Sequence, residues 1–121
     1  MRVLVCGDRN WADQVLVDNT LDDIHQNTPI TLVIEGEARG ADKAGRFWAE
    51  SRNIPFAPYP ANWEKYGRAA GPIRNRQQFN EGKPDLVIAF HDNLAESKGT
   101  ADMVRYAESK KCKVLKVKHA L

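Results

Sequence analysis

Three short stretches of the chain join bare backbone to side chains that can hold an anion. EGEARGADKAG, residues 35–45, sets Gly36, Gly40 and Gly45 among alanines directly behind an apolar run. Such backbone suits a tight strand-to-helix turn. It equally suits a wall close to a phosphate or sugar, because N–H groups at a helix start attract anions. SKGTAD, residues 97–102, opens a helical segment with Gly99 and Thr100, whose hydroxyl can cap the helix or meet a phosphate oxygen. GPIRNRQQF, residues 71–79, puts Pro72 at the first position of a helix and Arg74 near its start, where the helix dipole favours an acid. A bidentate contact from Arg74 to phosphate or carboxylate accounts for that placement, as does a solvated surface arginine. Asn75 can donate and accept in the same site, and Arg76 is expected to face solvent.

Asp8, Glu35, Asp42 and Asp92 fall at strand ends of one kind and could each supply a general base, and nothing in their spacing selects one. His25, His91 and His119 have no ligand-like spacing with one another or with Cys6 and Cys112, so neither a metal site nor a cofactor is expected. Trp11, Trp63, Tyr59 and Tyr66 can stack on a base, fill a core or pin a loop. The P-loop spacing is absent and no G-x-G-x-x-G follows the first strand, which speaks against a Walker-type nucleotidase and a dinucleotide dehydrogenase.

These residues need a scaffold, and the hydrophobic rhythm supplies one. Apolar runs lie near 2–6, 30–35, 85–90 and 112–117, with a weaker, proline-interrupted run near 54–59 that suits a strand near an edge. Between them the spacing is helical. Trp11, Val15, Leu16, Asn19, Leu21 and Ile24 share one face, with Asn10 or Asp13 as cap. Ala41, Ala44, Phe47, Trp48 and Ser51 share a second. A short polar helix is expected near 72–82, and TADMVRYAESKK aligns Ala101, Val104 and Ala107 or Glu108. Alternating strands and helices predict an α/β, Rossmann-like three-layer domain over residues 1–121. Its five-stranded, mostly parallel sheet would have the order 3-2-1-4-5. Lysines 113, 116 and 118 place the last strand at an edge. The reversal of order would then bring Gly7, Asp8 and Arg9 opposite Ser97, Lys98, Gly99 and Thr100. Residues 59–72 form the longest irregular stretch, a length usual for a functional or mobile loop.

With 121 residues one domain is expected, and 18 basic against 16 acidic residues give no footprint for stable nucleic-acid binding. Two cysteines in apolar runs fit a reducing, cytoplasmic setting, and no stretch has the length of a signal peptide core or a membrane span.

CGDRNW, EGEARGADKAG, YPANWEKYGRAAGPIRNRQ and SKGTADMVRYA, in that order, resemble the motifs of the YspA-like (DUF2493-type) branch of the SLOG superfamily. These are small Rossmann-like domains proposed to bind nucleotide-related ligands. The resemblance runs from near the first residue to Ala107. It implies a ligand over the carboxyl ends of the strands, met by Gly7 and Arg9 after the first strand and by Gly36, Gly40, Ala41 and Asp42 in the second motif. Gly71, Arg74 and Asn75 would follow from the third, and Gly99 and Thr100 from the fourth, with Lys98 turned toward phosphate. The related LOG enzymes, which cleave the N-glycosidic bond of cytokinin nucleotides, carry P-G-G-x-G-T-x-x-E and an R-K pair. Here Ser97 and Lys98 stand where relatives favour glycine, Met103 stands at the catalytic glutamate's place, and Arg74 and Asn75 stand at that of the pair. The resemblance therefore implies binding, by sensing or sequestering, of a nucleotide-derived small molecule. The alternative is an N-glycosidase or phosphoribosyl hydrolase using Glu35, Asp42 or Asp8. No membrane partner is implied, and a homo-oligomer is left open.

Overall fold

Val3, Leu4 and Val5 are fully buried because their strand, β1 (Arg2–Gly7), is covered on both faces. It is the centre of an all-parallel five-stranded sheet of order β3-β2-β1-β4-β5, as the rhythm of the sequence predicts. The computed structural model describes residues 1–119, so the expected domain boundary at residue 121 lies outside the described residues. β1 is flanked by β2 (Leu32–Glu35) on one side and by β4 (Leu86–Phe90) on the other, so that Val5 lies opposite both Glu35 and Ile88. β3 (Phe56–Pro58) and β5 (Lys113–Val117) form the edges.

Strand side chains alternate between faces. Val3, Val5 and Val33 join Val17 and Leu21 of α1 (Gln14–Asn27) and Trp48 and Ala49 of α2 (Ala41–Ser51) in one core layer. Leu4, Cys6 and Ile34 join Met103, Val104 and Ala107 of α5 (Gly99–Ser109) in the other, with Phe79 of α4 (Ala70–Gly82) packed alongside. Among the described residues no helix is long and apolar enough to cross a membrane.

Several local expectations are corrected. β2 begins at Leu32 rather than at residue 30. Ile30 instead tucks into the core from the preceding loop, its N–H donating to His25 Nδ1 at 2.8 Å. Trp11 precedes α1, which Asp13 caps by accepting the Leu16 N–H at 3.0 Å. Its ring packs instead against Phe90 and His119, and the later helix start turns Val15 outward at 66% exposure. Phe47 is likewise 61% exposed. The inner face of α2 combines Trp48 with the small residues Ala41, Ala44, Gly45 and Ala49, and a Cβ at Gly45 would press on the Val5 side chain at 2.8 Å. The stretch 59–72 is not all loop: it holds α3 (Trp63–Tyr66), a 3-10 turn over Gly67–Ala69 and the start of α4. Pro72 is thus the third residue of α4 rather than the first, and its missing N–H falls among those that have no intrahelical partner.

Candidate functional site

The strand order reverses between β1 and β4, and ligand crevices in doubly wound sheets open outside the carboxyl ends at such a point. A cavity of about 550 Å³ lies there. Asp8, Arg9 and Asn10 reach it from the end of β1, Ala38, Arg39 and Asp42 from the β2–α2 connection, and His91 from the end of β4. Trp63 and Arg68 close one side and the first turns of α4 another, while residues 97–100 bring the start of α5. Cys6 and Met103 line it from the second core layer, and burial pushes the Cys6 thiol well above its ordinary range, which leaves it inert as a nucleophile.

The glycines expected at the site divide by what they face. Gly40 has φ of 81°, and a side chain there would strike the backbone of Asp8 and Arg9. The neighbouring Ala41 N–H donates to Asp8 O at 3.1 Å, so Gly40 and Ala41 lock the start of α2 behind the cavity wall instead of lining it. At Gly36 the bare backbone makes room for the protein's own Arg74: Nη1 donates to Gly36 O at 2.5 Å. Gly7 lines the cavity while fitting tightly against Phe90 and Ala41. Gly71 and Gly99 also line it, and a Cβ at Gly99 would meet nothing within 4 Å.

Asn75 is 5% exposed and its amide is fully engaged. Nδ2 donates to Gly99 O and Asp102 Oδ2, both at 3.1 Å, while Oδ1 accepts from Arg74 Nε and Gln78 Nε2. It therefore braces α4 against α5 and holds the Arg74 fork in place. Arg76, expected in solvent, joins the same brace through Asp102 at 2.8 Å. These partners fix the orientation of the Gln78 amide too, leaving its buried Oε1 without a hydrogen bond among the described residues. At α5, Ser97 Oγ accepts the Thr100 N–H at 3.0 Å, so serine caps the helix. The Thr100 side chain lines the cavity.

Charge is concentrated here. Five permanent cations, Arg9, Arg39, Arg68, Arg74 and Lys98, line the cavity against the carboxylates Asp8 and Asp42, in a chain whose formal net charge is only +2. Burial lowers the pKa of Arg74, an effect that Asp42 opposes and Arg9 reinforces. Burial also pushes Asp42 up to about 6, against the pull of Arg74 and of the Ala38 N–H that it accepts at 3.2 Å. Glu35 is fully buried at the end of β2 and does not line the cavity. Its Oε1 accepts the Glu37 N–H at 2.7 Å, its Oε2 has no partner among the described residues, and burial pushes its pKa up to about 7. His91 Nδ1 accepts the Asn93 N–H at 2.9 Å, which leaves Nε2 as the ring's available donor.

Of the expected aromatics, Trp11 belongs to the core, Tyr59 packs on the second core layer, and Trp63 stands half exposed at the cavity with Arg9 over its ring. Arg39 and Arg68 were not singled out by the sequence. Their signal is charge inside the second and third motifs, and it acquires meaning only once those loops are seen to converge. No group of His, Cys, Asp and Glu among the described residues could hold a metal ion.

A model of the YspA, cpYpsA-related SLOG family matches residues 1–66, which include β1, the β2–α2 connection and α3. The chain is also similar to the Gene 61 protein of Mycobacterium phage D29, with 35% identity over 113 residues that cover 88% of each chain.

Proposed function

The chain belongs to the YspA, cpYpsA-related SLOG family, and from that premise we propose that it binds a nucleotide-derived small molecule at the carboxyl edge of its sheet, as a sensor or a sequestering protein. The observation that carries this is the set of five cations around one cavity, four of them arginines drawn from three different connections between strands. Ligand cavities commonly measure roughly 300–1,000 Å³, and this one has room for a nucleotide. Phosphate would sit between Arg74, Lys98 and the start of α5, where free N–H groups and the helix dipole favour an anion. Arg74 suits the role because Nε and Nη1 are pinned to Asn75 and Gly36, which aims the rest of the fork without further loss of side-chain entropy. Trp63 offers its face to a base.

Asp42 supports a second reading, hydrolysis of an N-glycosidic bond. It lines the cavity, and a carboxyl group pushed up to about 6 is poised for proton transfer near neutral pH. Met103, 1% exposed, presents no carboxylate at the start of α5, which favours binding without turnover. Calorimetry against a panel of nucleoside monophosphates, followed by chromatography of the same mixtures, tests both. Binding without release of free base is expected. Release that Asp42→Asn abolishes would replace the binding role with hydrolysis, and failure of every nucleotide to bind more tightly than inorganic phosphate would defeat both.

A further inference from the structure

A second cavity, of about 420 Å³, adjoins the first, and five residues line both: Arg9, Ala38, Arg39, Trp63 and Arg74. Its other walls come from Gly36 and Glu37 and from Pro60 and Ala61. Among the described residues the three shared guanidinium groups form no ion pair, and their direct contacts are to neutral groups. Arg9 lies over the Trp63 ring at 5.8 Å, Arg39 makes one long bond of 3.4 Å to Asn10 Oδ1, and Arg74 donates to a backbone carbonyl and an amide oxygen. Glu37, the carboxylate in the second cavity, is taken up by Arg46 at 2.8 Å.

A single phosphate over the start of α5 carries about two negative charges at neutral pH and can reach Lys98, Arg68 and Arg74. It leaves Arg9 and Arg39, which also line the second cavity, without an ion-pair partner among the described residues. Resting on the reading of the site as a nucleotide pocket, we propose that the ligand carries two linked phosphates and spans both cavities, as a nucleoside diphosphate or a derivative of one. The first phosphate lies between Lys98, Thr100 and one edge of Arg74. The second lies between Arg74, Arg9 and Arg39, and Trp63 at the junction takes the base or a second ring by stacking.

The test is calorimetry with inorganic phosphate, inorganic pyrophosphate, AMP and ADP at one fixed ionic strength, because exposed charges are screened by salt. Pyrophosphate is expected to bind at least about tenfold more tightly than phosphate, the effect of one added charge-assisted contact. ADP should exceed AMP by a similar factor if adenine is accepted. Arg39→Ala should shrink the pyrophosphate-to-phosphate ratio to below about twofold, whereas Lys110→Ala, on the opposite edge of the sheet, should leave it unchanged. Equal affinity for phosphate and pyrophosphate overturns the proposal, as does a ratio that survives Arg39→Ala or falls equally in Lys110→Ala. These results are separate from the test of the parent reading, which compares nucleotides with inorganic phosphate: a pyrophosphate preference that Arg39→Ala removes supports two anion positions whichever base the site takes.

Discussion

At the amino ends of the strands Lys83, Lys110, Lys111 and Lys113 surround an open groove of about 610 Å³, with Asp85 as its carboxylate. At the carboxyl ends a cavity of about 550 Å³ has five cations of its own. By charge the two are alike, but the lysines are all exposed, and Asp85 already accepts the Arg2 N–H at 2.8 Å. At the carboxyl end Arg74 and Asp42 are held where burial penalises their charged forms, Arg74 by Asn75 and Gly36 and Asp42 by the Ala38 N–H. A solvated lysine cluster needs no partner. Ionisable groups kept in a desolvated position against their own preference mark a site, because the folded protein has given up stability to hold them.

The largest effect that would break this contrast is expected at the carboxyl edge. Gly40→Val meets both an unfavourable φ and the Asp8–Arg9 backbone, and should cost about 2–5 kcal/mol in denaturant unfolding. Next comes Arg74→Ala, which should weaken nucleotide binding by about 1.5–3 kcal/mol in calorimetry. Arg74→Lys should recover only part of this, because a single ammonium cannot hold Gly36 O and Asn75 Oδ1 while facing a ligand. Lys110→Ala in the groove should match the unsubstituted protein, and equal losses at both edges would erase the distinction.

Much of the scaffold that sets up this contrast was legible. Buried parallel strands read as unbroken apolar runs, and so the order 3-2-1-4-5 and the convergence of Gly7–Arg9 with residues 97–100 could be anticipated. Contacts between distant segments could not. That the bare backbone of Gly36 makes room for Arg74, 38 positions away, is one such contact. Asn75 reads as a ligand contact because two of its four bonds, to Gly99 and Asp102, depend on the packing of α4 on α5. Residues 59–72 read as loop because every residue of α3 is exposed, so that no hydrophobic period announces the helix.

Acid–base behaviour sharpens the comparison at a smaller scale. The folded pKa of Asp42 is raised from 3.8 to about 6 and that of Glu35 from 4.5 to about 7, so the folded state holds more protons than the unfolded state across those windows. Stability should therefore fall as pH rises from about 4 to 7. Asp42→Asn should flatten the slope and gain on the order of 1–3 kcal/mol relative to the parent at pH 8, measured by urea unfolding. The smallest effect belongs to His119, exposed between Asp92 and Asp13, which raise its pKa above 6.5. Its contribution is present below that value and lost as pH rises through the folded pKa. His119→Gln should thus lower stability slightly at pH 6 and lose its effect at higher pH.

The most direct test of where the ligand sits is a titration of the 15N-labelled protein with a nucleoside monophosphate, followed through amide shifts. The largest changes should fall on Gly7, Arg9, Gly71, Gly99 and Thr100, and the amides of Lys83 and of residues 110–113 should stay still. Changes centred on the lysine groove, or spread evenly over both edges, would contradict a nucleotide site at the carboxyl edge of the sheet.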